Sequence, residues 1–81
     1  MTKKIHIEYF AVLQDQRGLS RETVETDAAD TAALYKELQE LHELKQSTCT
    51  LKVALNDEFA DWQTALTDGD KVVFIPPVAG G

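Results

Sequence analysis

The sequence has very little of most residues that carry chemistry: one cysteine, two histidines, one methionine and one tryptophan in 81 residues. Cys49 has no second cysteine to pair with, which is the usage expected in a reducing, cytoplasmic compartment. Nothing beside it in the sequence, neither a helix start nor a cluster of bases, would activate its thiol. His6, His42 and Cys49 have none of the spacings that hold a metal, so no metal site is expected. His6 reads as a solvated strand residue and His42 as a helix-surface one. Asp68 and Asp70 around Gly69 supply too few oxygens for a calcium loop and read as a plain turn. No apolar run approaches the ~20 residues of a membrane span. Met1-Thr2-Lys3-Lys4 leads into an alternating stretch, not into the apolar core of a leader. Basic residues are also few: eight Lys and Arg against 14 Asp and Glu give a net charge of −6. That balance disfavours nucleic acid and anionic membranes and favours a basic protein surface as partner. With no phosphate-cradling loop and no Ser/His/Asp set, the chain reads as a carrier and not an enzyme.

A chain of this length forms one small domain, burying roughly 60–65% of its extended surface. Lys4 to Phe10 alternates with period two, placing Ile5, Ile7 and Tyr9 toward a core and His6, Glu8 and Phe10 outward. Ala11 to Arg17, ending at Gly18, reads as a connection with a helical turn. Glu22 to Thr26 is a second β-prone run with Val24 inward. Asp30 suits a helix N-cap. Leu34, Leu38 and Leu41 follow as a narrow apolar stripe, edged by Ala33 and Leu44. Gln46-Ser47-Thr48 is expected to end that helix. Thr50 to Leu55 alternates again, with Leu51, Val53 and Leu55 inward, and Asn56-Asp57 signals a tight turn. Phe59 and Trp62 lie in a short crossing segment, and Gly69 takes a left-handed turn position. Lys71 to Ile75 is apolar on both sides, as a central strand should be.

Strand, strand, helix, strand, short strand, strand predicts an α+β domain. Four to five strands form a mixed sheet with one main helix on one face. The helix supplies the crossover that lets the first and last strands run parallel. This is the β-grasp, or ubiquitin-like, arrangement. The expected division is a domain over 1–75 and an extended tail over 76–81.

The tail reads Pro76-Pro77-Val78-Ala79-Gly80-Gly81. Two prolines stop the strand because neither donates to a ladder. Two glycines with no chain after them serve no turn, so the expected working group is the Gly81 carboxylate on a thin tail. Such a tail, flexible when the domain is alone, can thread a narrow channel. Parity also predicts an apolar patch. Phe10 on the first strand and Val73 and Ile75 on the last point away from the helix, and Phe59, whose parity the sequence does not fix, is a candidate to extend the patch.

Leu66 to Gly81 closely resembles the C-terminal signature of the small, sulfur-carrying subunit of molybdopterin synthase. The likeness extends to Tyr9-Phe10-Ala11, to Ala54-Leu55-Asn56 and to the length, while Gly18 to Thr50 matches only in pattern. The resemblance implies that an ATP-dependent, E1-like activating enzyme adenylates Gly81. Sulfur then displaces AMP to leave a covalent thiocarboxylate. It further implies that Pro76, Pro77, Val78, Ala79 and Gly80 thread the active site of a large catalytic subunit, where the sulfur passes to a cyclic pyranopterin. No bound cofactor is implied. Related carriers for thiazole or tRNA thiolation, and ubiquitin-like modifiers that form isopeptide bonds, are the alternatives.

Overall fold

The computed structural model describes residues 2–76. The tail positions from Pro77 to Gly81, with the flexibility and threading expected of them, lie outside the described residues. Seven elements follow one another: β1 (Lys3–Tyr9), α1 (Val12–Arg17), β2 (Arg21–Thr26), α2 (Thr31–His42), β3 (Lys52–Leu55), β4 (Glu58–Ala60) and β5 (Lys71–Ile75). The sheet order is β2-β1-β5-β3-β4. β5 is parallel to β1 and antiparallel to β3, and the two hairpins β1–β2 and β3–β4 are antiparallel. The expected mixed sheet with a parallel first and last strand is therefore present.

Alternation decides which residues enter the core. Ile5, Ile7 and Tyr9 of β1, Val53 of β3, and Val72 and Phe74 of β5 face α2 and are buried. Each such side chain contributes about 1.5–3 kcal/mol relative to exposure. From α2 come Thr31, Leu34, Tyr35 and Leu38, spaced i, i+3, i+4 and i+7 on one face. Leu41, expected in that stripe, is instead 66% exposed. The helix stops at His42, with Glu43 left-handed at φ 54°, earlier than Gln46-Ser47-Thr48. Beyond that turn Leu44 takes the inward place and is buried. The connection after β1 is a six-residue helix that inserts Leu13 into the core and ends on Gly18 at φ 84°.

The N-terminus of α2 has its free N–H groups met. Asp30 Oδ1 accepts from the Ala33 N–H at 2.8 Å, as an N-cap should. The loop before β5 supplies carbonyls: Thr31 N–H donates to Thr64 and Ala32 N–H to Trp62, both at 3.1 Å. The Thr31 hydroxyl donates to the Asp61 carbonyl at 2.7 Å. Asn56 and Asp57 are both left-handed, at φ 51° and 72°, giving the tight β3–β4 turn. Gly69 is left-handed at φ 90°, and its N–H donates to the Lys4 carbonyl at 2.7 Å. Asp68 and Asp70 spend their carboxylates on turn hydrogen bonds: Asp68 accepts from Lys4 N–H, and Asp70 from Thr67 N–H and Asn56 Nδ2. Among the described residues no cluster of His, Cys, Asp and Glu could hold a metal.

One polar cluster sits at the far end of β2, where Glu22 faces the covered side. Its Oε2 accepts from the Tyr9 hydroxyl at 2.6 Å, and Arg17 donates to both carboxylate oxygens at 2.8 Å. His42 Nε2 lies 4.0 Å away. The Arg17 hydrogen bonds hold the Glu22 carboxyl below its usual range, against the burial that opposes ionisation. Burial, then the hydrogen bond to Glu22, pushes the Tyr9 phenol up. A carboxyl whose folded-state pKa is depressed stabilises the fold above its unfolded pKa of about 4.3 and loses that contribution as pH falls through the lower folded value. Glu22→Gln is therefore expected to cost about 2 kcal/mol at neutral pH. Urea unfolding should show the two proteins converging below about pH 4; a gap that stays constant to pH 3 would contradict the linkage.

Candidate functional site

The sheet face away from α2 carries the residues that parity sent outward. Register arranges them in rows across the strands. Arg21, Glu8, Val73, Ala54 and Phe59 form one row from β2 to β4. Ile75 pairs with Lys52 in the next row toward the chain end. Tyr9 pairs with Phe74, so continuing the register brings Phe10 level with Ile75. Phe10 is 46% and Phe59 78% exposed, and Ile75 is half-buried. The pairing of Phe59 with Ala54 settles its face: it stands on the open side, at the β4 edge.

Two expected site residues sit differently from the sequence reading. Val73 is on the open face as parity requires, yet it is only 6% exposed. It stands mid-sheet between the longer side chain of Glu8 and Ala54 on the neighbouring strands, so it floors the patch and does not project from it. Pro76, placed with the tail, is buried directly after β5. Having no N–H to leave unpaired, a proline can end the strand and still be covered. Phe10 and Ile75 each follow the paired Tyr9 and Phe74, with Val73 one row back in mid-sheet; Phe59 lies two strands from β5, at the far side of β3.

Charges border this surface. Lys71 Nζ donates to Asp57 at 2.9 Å and lies 3.9 Å from Glu8. The Asp57 hydrogen bond first, and the nearby Glu8 charge, hold the Lys71 ammonium above its usual range. Lys71 is thus drawn toward the β3–β4 turn, leaving the end of the strand that carries Ile75 uncovered. His6 shares a 2.9 Å hydrogen bond with the Thr23 hydroxyl on the same face.

Two features were not singled out from sequence. Ala54 is the small outward residue in the Lys52–Leu55 strand that lowers the floor beside Val73, a signal present in the alternation itself. Ala11 has φ 51° and ψ −125°, a conformation that favours glycine. Leu13 N–H donates back to the Phe10 carbonyl at 3.1 Å, closing a turn around it. Holding alanine there costs of order 1–3 kcal/mol, and the turn leaves Phe10 exposed at its start.

A main helix on one face of a five-stranded sheet and a parallel first and last strand define a ubiquitin-like β-grasp domain. The ThiS family model matches residues 7–81. The chain belongs to that family. The molybdopterin synthase sulfur carrier subunit of Chlamydomonas reinhardtii is 37% identical over 82 residues, covering 96% of this chain and 99% of that protein. Among solved structures, the protein–protein complex of subunits 1 and 2 of the molybdopterin-converting factor from Helicobacter pylori contains a chain 32% identical, with TM-score 0.65, covering 96% of this chain and 99% of that one. SAMP1 from Haloferax volcanii shares the fold at TM-score 0.79 and 24% identity, with 96% and 99% coverage.

The two faces of β5 should respond oppositely to substitution. Phe10→Lys and Ile75→Lys are expected to leave the thermal midpoint within a few degrees, since neither side chain belongs to the core. Phe74→Ala, at a fully buried position, should cost about 3–5 kcal/mol. Thermal melts followed by circular dichroism test the assignment; unfolding of either lysine variant beside a tolerated Phe74→Ala would reverse it.

Proposed function

We propose that this chain is the sulfur carrier subunit of a molybdopterin synthase, a non-catalytic protein whose working group is the Gly81 carboxylate. The observation that carries this reading is the 37% identity with such a subunit over nearly the full length of both chains, together with a family match that runs through Gly81. A carboxylate is a poor electrophile until a good leaving group is attached. An ATP-dependent, E1-like enzyme would therefore join it to AMP with loss of pyrophosphate. Sulfur then displaces AMP, and the resulting thiocarboxylate is a soft, strong nucleophile. In the large catalytic subunit its sulfur attacks the cyclic pyranopterin, water then cleaves the acyl–sulfur bond and returns the Gly81 carboxylate, and two such transfers build a dithiolene. No cofactor is bound by the carrier itself.

The domain supports this role by what it offers a partner. A tail of Val78, Ala79, Gly80 and Gly81 after Pro76 and Pro77 presents little bulk to a narrow channel. The open face, with Phe10, Ile75 and Phe59 over a floor of Val73 and Ala54, supplies apolar area worth about 25 cal/mol per Å² when covered. The Helicobacter pylori relative, seen as a complex of two different subunits, supports a large partner subunit docking on this chain.

Protein purified after co-expression with its activating enzyme is expected to show one oxygen replaced by sulfur at Gly81 in intact-mass analysis. Covalent adducts of Gly81 on lysines of other proteins would instead make it a modifier, and transfer only to thiazole or tRNA acceptors would make it a carrier of another pathway. Position along the tail is expected to matter more than bulk. One residue added after Gly81 moves the reacting carbon by roughly 3.5 Å, beyond the ~1 Å that near-attack geometry tolerates. A Gly81-Ala extension should therefore lose about a hundredfold or more in pterin conversion, and Gly80→Val should lose less. Wild-type turnover by the extended chain would remove the carboxylate from the mechanism.

A further inference from the structure

We propose that β2 is a self-pairing edge: two copies of this chain associate antiparallel through Arg21, Thr23 and Glu25, joining their sheets into one. β2 is the outermost strand beyond β1 and is bonded on one flank only. Its phase is fixed next to Tyr9, whose N–H donates to the Ser20 carbonyl at 2.9 Å. Bonded pairs alternate in an antiparallel ladder, so Glu22 and Val24, opposite Ile7 and Ile5, turn their main-chain groups toward β1. Arg21, Thr23 and Glu25 turn theirs outward. Among the described residues no hydrogen bond from within the domain meets those outward main-chain groups. All three side chains are exposed on the open face.

Edges are usually blunted by proline, a bulge or shortness. β2 has no proline or bulge and runs regularly for six residues against β1; its edge protection is charge alone, Arg21 and Glu25 outward and Glu22 inward, the last already neutralised by Arg17. Its charges are arranged to match themselves. Pairing β2 with a second β2 around Thr23 sets Arg21 opposite Glu25 of the second copy, twice by symmetry. Within each chain Glu8 already pairs with Arg21 and Lys4 with Glu25. A row across the joined sheets then reads Glu8, Arg21, Glu25 of the second copy, Lys4 of the second copy, alternating in sign at every step. Registers centred on Arg21, Glu22 or Glu25 would set like charges face to face; one centred on Val24 sets Thr23 opposite Glu25 and reaches an opposite charge for Arg21 only at Asp27, past the end of the strand, so the Thr23 register is the one that pairs charges within β2. The covered side adds an apolar element. Thr26 bonds Glu37, and His42 lies beside Glu22, so α2 runs along β2, and Leu41, one turn beyond Glu37, is 66% exposed there. Since β2 is the edge farthest from β4, this pairing leaves Ile75, Val73 and Phe59 uncovered, and it stands whether or not the carrier reading holds.

Sedimentation velocity of the full chain from about 10 μM to about 1 mM should show the mean mass rising toward a dimer. Arg21→Glu places Glu opposite Glu25 at both ends and should weaken association at least about tenfold. Combining Arg21→Glu with Glu25→Arg restores opposite signs and should return the dissociation constant to within about threefold of the original. Thr23→Pro is compatible with β1 because the lost N–H faces outward, and it should leave a monomer. Amide exchange in the unaltered protein decides the matter without a variant: protection at Arg21, Thr23 and Glu25 must grow with concentration. A monomer throughout the range, concentration-independent exchange at those amides, a dimer indifferent to Arg21→Glu, or a double variant that stays dissociated would each overturn the proposal.

Discussion

Phe74 is the side chain on which the rest of the domain depends. It lies fully buried on the central strand and meets aromatic rings from three other parts of the chain: Tyr9 of β1 at 6.4 Å, Tyr35 of α2 at 5.1 Å and Trp62 of the preceding loop at 6.1 Å between centroids. Tyr35 and Trp62 also meet each other at 5.8 Å. Such pairs add about 0.5–1.5 kcal/mol each beyond the area they bury. The energetic weight matters less than the geometry. One ring ties the helix, the first strand and the loop to β5, so the end of that strand is held by an aromatic cluster in the core.

That anchoring also determines the open face. A strand alternates, so burying Val72 and Phe74 obliges Val73 and Ile75 to point the other way. Making both sets apolar gives up the solubility that a polar outward set would bring, and the flanking charges restore it. Glu8, Lys71 and Asp57 form an ion-pair row at the near end of β5, and Arg21 and His6 continue the polar surface toward β2. Exposed pairs of this kind are worth little in stability. Their effect is to confine apolar exposure to the end of β5 and to the isolated ring of Phe59.

The architecture was legible because its signals are local and periodic. Alternation marked β1 and β3, a β-prone run marked β2 and a doubly apolar run marked β5; Asp30 marked the start of α2, and Asn56-Asp57 and Gly69 marked turns that are left-handed in the structure. The misreadings share a cause. A stripe of leucines drew attention from Tyr35, whose hydroxyl finds the Gln46 carbonyl at 2.6 Å and so permits burial of the ring. Leu41 lost its place because the helix ended sooner, and the end was set by Glu43 adopting a left-handed conformation that no glycine announced. Of the site, parity placed Phe10, Val73 and Ile75 on one face. It could not say that Val73 would be covered, since exposure depends on side chains from two strands that are distant in sequence.

Among its described residues the domain has no cluster that could hold a metal and one exposed cysteine, while its open face carries apolar area at the end of β5. This division has a physical logic. Activating a carboxylate and passing on its sulfur need different catalytic groups, and a side chain suited to one active site would obstruct the other. On the proposed reading, a carrier that visits two active sites gains from placing recognition on the folded face and reactivity on the chain end. On that reading, a rigid face would let the number of residues after Phe74 set the reach to the reacting carbon. The hydrogen bonds that close the loop onto α2, and the aromatic rings around Phe74, fix the strand from which that reach would be counted.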